Sequence, residues 1–300
     1  MTPVIDLFSH SQTALVENFQ VVKIMETSAK NLSVESGYPF REMVRVYGSV
    51  GAFARSYIMI GWIVIFLLLW FFNPIKAMPY PGEVLGAFRK MWNAPGSSGL
   101  VYNVYVTLKL NIVGIFISSI VSLIIAYLSV IPLFQPFNKF VQWLRYIPIV
   151  GFNLMFLTLF SIGWSMKVAM LTTGMAFFLV TSMTSVIASI PRLKYELARV
   201  LAYNDWHVFY SVVMRPTLPA MIDMIAQNAA MGWVMITAIE TFNRTEGGIG
   251  SQIYAYTSTN QLAEVYAYLL IIGAIAIIED GLLSLLKRIL FPYSLIAERA

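Results

Sequence analysis

Residues 191–219 read Pro191-Arg192-Leu193-Lys194-Tyr195-Glu196-Leu197-Ala198-Arg199-Val200-Leu201-Ala202-Tyr203-Asn204-Asp205-Trp206-His207-Val208-Phe209-Tyr210-Ser211-Val212-Val213-Met214-Arg215-Pro216-Thr217-Leu218-Pro219. The run from Glu196 to Ala202 is good helix-forming sequence. Tyr203-Asn204-Asp205 makes a turn, with Asp205 or Asn204 placed to cap a second short helix over residues 206–210. Pro216 and Pro219 close the segment and restart the chain as a new helix. This predicts two short helices at an angle, carrying Trp206 and Phe209 into water, and a loop that exposes large aromatics usually meets another protein. Apolar runs at 168–190 and 220–239 flank it. Each is close to the roughly 20 helical residues that cross a hydrocarbon core about 30 Å thick. A polar hinge between two such runs fixes the fold class as all-α and polytopic in a membrane.

Working outward, six spans are predicted at 57–72, 110–131, 147–162, 168–190, 220–239 and 265–286. The first and third are short, about 24 Å at a rise of 1.5 Å per residue, so their ends extend into the flanks. Composition agrees: 58% of residues are hydrophobic, 12% are charged, and the mean hydropathy is +0.72. A soluble domain carries roughly twice that charge. Trp62, Trp70, Trp143 and Trp164 lie in or beside the spans, several near ends where amphipathic rings favour the interface. The runs lack the alternation of lipid-facing and lumen-facing residues that a membrane barrel needs.

Fourteen Lys and Arg residues fall in segments on one side of this topology and six on the other. The positive-inside rule therefore places both termini, and the 191–219 loop, in the cytoplasm. The domain reading is a cytoplasmic extension over 1–56, a transmembrane domain over 57–293 and a tail over 294–300. In the extension, Leu15, Phe19, Val22 and Met25 recur at approximate helical spacing, as in a surface helix. The first 56 residues contain no apolar h-region of a cleavable signal. The basic residues are dispersed rather than clustered, which argues against nucleic acid.

The chain has no cysteine, so disulfides, thiolate metal sites and thiol nucleophiles are excluded. His10 and His207 are far apart and offer no metal-ligand spacing. A Gly-x4-Gly-Lys-Ser/Thr loop to cradle nucleotide phosphates is absent, so any ATP-derived energy comes from another subunit. No catalytic site emerges.

The 191–219 segment resembles the cytoplasmic EAA loop of ABC importer permeases. That pattern runs Glu-Ala-Ala, three residues, Gly, a Trp four further on, and a closing Leu-Pro. Glu196, Ala198, Trp206, Phe209, Leu218 and Pro219 stand at matching positions. The departures are Leu197 for the middle Ala, Ala202 for the Gly, and Arg215 for a first Pro, with Pro216 one residue later. Elsewhere Met78-Pro79-Tyr80-Pro81-Gly82-Glu83-Val84-Leu85 resembles the Pro-Ser-Pro-x-x-Val entry of permeases for nitrate, sulfonates and taurine. Leu144-Arg145-Tyr146-Ile147-Pro148 is similar to their Leu-Arg-Pro-Ile-Pro. Phe160-Ser161-Ile162-Gly163 is similar to Phe-Gly-Ile-Gly, with Lys167 on the family's Lys. Gly232-Trp233, Ala238-Ile239-Glu240 and Gly248-Ile249-Gly250 resemble the Trp…Ala-Glu…Gly-Leu-Gly stretch.

The resemblance covers about 78–293. It implies a type I ABC importer permease fold, working as a pair of identical copies related by a two-fold axis. Two cytoplasmic ATPase subunits would carry the ATP and Mg, since no cofactor is expected on this chain. A periplasmic or lipid-anchored solute-binding protein would deliver a small oxyanion such as nitrate, a sulfonate, taurine or bicarbonate. The rival readings are a secondary transporter, which needs repeated halves and broken-helix ion sites, and a non-transporting membrane scaffold.

Three further groups are candidates. Glu240, at the outer end of the fifth span, is either a gate or docking carboxylate that pairs with a nearby base or caps the Gly-rich turn, or an interfacial carboxylate that fixes register. Gly247, Gly248 and Gly250 permit positive φ in a tight external loop, as structural or ligand-binding residues. Asp223, Gln227 and Asn228 can share a helix face, lining a path or bonding between helices. Glu279-Asp280 is read as the cytoplasmic boundary of the sixth span, and Lys109 and Lys167 as snorkelling side chains at outer span ends.

Overall fold

The computed structural model describes residues 52–72 and 78–292, and every regular element among them is helical. The chain divides into two units, Met1–Pro74 and Ile75–Ala300. In the first, the described part is helix α1 (Ala52–Phe72), whose Arg55–Phe72 stretch is long and apolar enough to cross a membrane. The proposed surface helix at Leu15–Met25 positions 15–25 and the tail at 294–300 lie outside the described residues.

The second unit opens with α2 (Pro81–Trp92), an amphipathic helix in what the sequence reading treated as an outer loop. Pro81 sits at its first turn, and the Glu83 carboxylate accepts a 3.0 Å bond from the Tyr80 backbone N–H. Both are start signals for a helix. Then follow α3 (Leu100–Leu128), α4 (Gln135–Leu144), α5 (Asn153–Phe160), α6 (Trp164–Ala188), α7 (Arg192–Val200), α8 (Asp205–Val208), α9 (Arg215–Phe242), α10 (Ile249–Ser258) and α11 (Leu262–Leu290).

Among the described residues five helices are long and apolar enough to span a membrane: α1, α3, α6, the continuous Asp205–Phe242 helix, and α11. A sixth crossing is available only if the pair Pro132–Leu144 and Ile149–Phe160 counts as one, and that pair is bent by 97°. The third span predicted at 147–162 is therefore corrected to the shorter Ile149–Phe160, whose N-terminal flank does not extend it but turns away at the break. Its cause is Pro148, which has no N–H to continue a helix and pushes Ile147 out of the helical region. The α3 helix begins ten residues earlier than predicted.

The prolines of the 191–219 segment also act differently from expectation. The chain does not stop and restart there. It passes from α8 through a π-helical stretch, Phe209–Met214, directly into α9. Pro216 lies where the π-helical stretch passes into α9 and Pro219 inside the helix, so two backbone N–H donors are missing within the continuous run, next to its one departure from α-helical bonding.

The centre of the unit is α3 against α6, with α9 on α6. A Cβ at Gly114 would collide with the Leu171 side chain, so the glycine sets how closely α3 and α6 approach. One core cluster holds Leu110, Met170, Leu171, Met175, Ile236 and Ile239. A second, toward the 192–214 end, holds Ala126, Leu179, Met183, Val213 and Met221. Apolar residues on the outer faces, such as Ile112, Phe116 and Ile124 of α3, are exposed, as a lipid solvent allows.

Candidate functional sites at the two ends of the bundle

The 192–214 end is built from one turn. Helix α7 stops at Leu201, and Ala202 then takes a left-handed conformation with φ of 57°. The Ala202 N–H donates to the Arg199 carbonyl (2.9 Å) and the Tyr203 N–H to the Ala198 carbonyl (3.1 Å). This is the Schellman pattern that satisfies the last carbonyls of a helix. Asn204 is the N-cap of α8: its side-chain oxygen accepts from the Asp205 N–H at 2.7 Å. Ala198 is buried in the angle between the two helices, while Glu196 is exposed.

Trp206 is 72% exposed. Phe209 is not its twin. Its ring meets Tyr127 edge-on at 5.8 Å and packs on the second core cluster, so the expectation of two exposed anchors is corrected to one. Leu218 is half-buried and Pro219 buried within α9. What the sequence reading missed is Leu193, Leu197 and Val200, all exposed on α7. They are spaced i, i+4, i+7, so helical periodicity could have found them as one apolar stripe beside Trp206.

The opposite end is closed. Glu240 has no exposed surface. Its carboxylate accepts from Thr107 Oγ1 (2.8 and 3.0 Å) and from the Gly250 N–H (2.7 Å). Asn103 Oδ1 accepts from the Gly248 N–H (2.9 Å), and Thr107 Oγ1 accepts from the Ile249 N–H (2.8 Å). Lys167 is fully buried and donates to the Gly247 carbonyl at 3.1 Å. It does not snorkel, in contrast to Lys109, whose exposed ammonium lies 4.8 Å from the centre of the Trp164 ring. The turn between α9 and α10 is thus held by side chains from α3, α6 and α9.

Gly247 and Gly248 have φ of 75° and 113°. A Cβ at Gly248 would overlap the Glu240 carboxylate, and one at Gly250 the Thr237 carbonyl. Gly250 has an ordinary helical backbone, so packing rather than positive φ requires it. Asn103, Thr107 and Asn111 were also missed. They recur every four residues along one buried stripe of α3, a pattern hidden because the span had been started after Lys109.

Asp223 and Gln227 share the face of α9 turned to α11, whereas Asn228 turns to α6, and bonding between helices is the reading that Asp223 and Asn228 follow. Asp223 pairs with Lys287 of α11 at 2.9 Å. Asn228 donates to Ser182 Oγ of α6 at 3.1 Å. Gln227 lines a 390 Å³ cleft with Trp233, Glu279 and Asp280. Glu279 does more than mark the end of the apolar run. It lies eleven residues, about 16 Å, before the end of α11. There it accepts from Asn111 Nδ2 (3.0 and 2.9 Å) and Trp233 Nε1 (2.7 Å), joining α3, α9 and α11. Among the described residues no three His, Asp or Glu side chains gather as a metal site.

Residues 111–292, more than half the chain, match the family of binding-protein-dependent transport system inner membrane components. The chain belongs to this family. The hairpin, the Glu240 carboxylate and the glycine turn of this inner membrane component all fall inside the matched segment, and α1 and α2 fall outside it. A named relative is the "Putative aliphatic sulfonates transport permease protein SsuC" of Bacillus subtilis (strain 168), 24% identical over 153 residues. That match covers 51% of this chain and 55% of the relative, so the chain spans about half the relative's length.

Two solved folds are similar. An inward-facing MetNI methionine ABC transporter chain matches with a TM-score of 0.54 at 18% identity, over 63% of this chain and 94% of its own. An amino acid ABC transporter crystallised with histidines matches with a TM-score of 0.51 at 17% identity, over 74% and 100%. At these identities the likeness concerns the fold. The inner membrane component is a multi-pass, all-α protein with a type I ABC importer permease-like arrangement.

Proposed function

We propose that this chain is the membrane-spanning permease subunit of an ATP-driven ABC importer and that the 192–214 hairpin is where separate ATPase subunits act on it. Two copies would form the path about a two-fold axis, with the hairpins toward the cytoplasm and a periplasmic or lipid-anchored binding protein on the other face. The solute we propose is a small oxyanion of the nitrate, sulfonate, taurine or bicarbonate class; the sulfonate relative's name supports it.

The observation that carries the reading is the joining of the hairpin to α9. Trp206 is exposed at the start of a helix that runs unbroken from Asp205 to Phe242, 38 residues. A displacement applied at Trp206 reaches the Glu240 end without crossing a loop. ATP would then shift the chain between outward and inward access only through differential binding of the ATPases to those two states. A secondary transporter or a passive scaffold gives the exposed stripe of Leu193, Leu197, Val200 and Trp206 nothing to do.

Pull-down of the ATPase and solute-stimulated ATP hydrolysis in reconstituted vesicles test this. Trp206→Ala should weaken association roughly thirtyfold, about 2 kcal/mol, the usual loss for a truncated aromatic anchor. Glu196→Ala should cost less, because an exposed carboxylate contributes about 1 kcal/mol or under. Leu68→Ala in α1 is the control. Full assembly and stimulation in both hairpin variants would remove the hairpin as the coupling element.

A further inference from the structure

We propose that the amphiphilic cleft between α3, α4, α6 and α7 seats the phosphate of an anionic phospholipid. The cleft has a volume of 460 Å³, and its lining includes Lys139 but no acidic residue. Lys139 is exposed and makes no ion pair among the described residues. Its ammonium is therefore available to an anion that enters the cleft.

The orientation of α4 identifies the source of that anion. Gln135, Asn138, Lys139 and Gln142 are spaced i, i+3, i+4, i+7, so they form one stripe, and all four line the cleft. Phe137, Phe140 and Trp143 are exposed, between 51% and 66%. A surface helix in water would do the reverse. Of α4 only Asn138 and Val141 are buried, and the aromatics exposed beside Gln135 and Lys139 place α4 in the headgroup region, where Trp and Phe are favoured. The break after Leu144 and the 97° bend hold it away from the direction of the next segment. Asn138 fixes the helix to its neighbours: its Nδ2 donates to the Ile125 carbonyl at 3.3 Å and to Thr184 Oγ1 at 3.2 Å.

The cleft is amphiphilic in the way a lipid requires. Lys139, Gln135 and the Tyr195 hydroxyl supply charge and donors for a phosphate. Val130, Ile187 and Ile190 supply an apolar wall for the start of an acyl chain. Basic pockets between spanning helices at this level are known to take anionic headgroups. Tyr195 belongs to α7, so a lipid seated here would touch both the interfacial helix and the hairpin. The site would make the hairpin's position depend on the lipid around it.

The test is native mass spectrometry of the purified full-length chain from mixed micelles containing phosphatidylglycerol and phosphatidylcholine. One phosphatidylglycerol should be retained per chain in preference to phosphatidylcholine. Lys139→Glu should lower its affinity about tenfold, the scale of one charge-assisted hydrogen bond lost. Lys139→Gln should give a smaller loss. Arg288→Gln, which removes a charge from the same end of the bundle, should leave retention unchanged. Equal retention of the two lipids, or unchanged retention in both Lys139 variants, would overturn the proposal. Displacement of the lipid by millimolar inorganic phosphate would overturn it too, by showing a free-phosphate site instead.

Discussion

The two ends of the α9 helix solve opposite problems. At the 243–250 end, the polar side chains Asn103, Thr107, Lys167 and Glu240 are buried and hydrogen-bonded to a turn that has no room for a side chain at Gly248. At the 192–214 end, a Trp and a stripe of aliphatics stay exposed around a single backbone turn. A buried, fully paired network resists any change of geometry, because each broken bond strands a desolvated group. An exposed apolar hairpin costs little to move and gains when covered. Rigidity at one end and availability at the other are what a helix needs to carry a displacement.

The strongest way to break this contrast is at Gly248. A valine there would have to hold φ near 113° and displace the Glu240 carboxylate from its donors. Strain of this kind and a stranded buried charge each cost a few kcal/mol. Gly248→Val should therefore lose more than about 4 kcal/mol and yield little folded protein, read as the monodisperse fraction on size-exclusion in detergent. Wild-type yield and thermal midpoint would show that the outer turn is not rigid.

The next effect separates two aromatics three residues apart. Phe209→Ala removes a ring packed on Tyr127 and the second core cluster. It should lower stability by about 3 kcal/mol, the lower range for a large-to-small core change. Trp206→Ala should leave stability within about 0.5 kcal/mol of wild type, as surface changes do, even though it weakens ATPase association. Equal melting of the two variants would erase the distinction between a packing residue and an anchor.

That distinction marks where sequence was a sufficient guide. The spans, the hairpin and its capping Asn204 were legible because each depends on local pattern: apolar run length, a turn dipeptide, a cap. Phe209 was misread because exposure depends on which neighbour, here Tyr127 of α3, comes to meet it. The role of Glu279 was incompletely legible for a related reason. A Glu-Asp pair followed by Lys-Arg reads only as a span boundary, and it takes the packing of Asn111 and Trp233 around the carboxylate to make it a junction of three helices. The broken third span hung on one proline within an apolar run, where hydropathy is blind to direction.

The smallest expected effect sharpens the contrast at the level of single backbone torsions. Among the described residues three non-glycines have positive φ: Ser161, Ala202 and Asn260, at 57°, 57° and 56°. Asn tolerates that region through its own side chain. The other two are the positions where this chain departs from a glycine in the resembling motifs, Phe-Gly-Ile-Gly and the EAA loop. At both positions the backbone holds a glycine-type conformation without a glycine. A left-handed residue with a Cβ costs about 1 kcal/mol, so Ala202→Gly should raise stability by up to about that amount, less the extra entropy of an unfolded glycine. Ser161→Gly should gain more, since its ψ of 168° adds to φ of 57° a combination nearly reserved for glycine. Thermal unfolding followed by tryptophan fluorescence would resolve both. If the hairpin is the mobile end, Ala202→Gly should also leave ATPase stimulation intact, because the two Schellman bonds need only the backbone. A loss of stability in either variant would mean that the glycine-like torsions are not what the Schellman turn and the Ser161 corner hold.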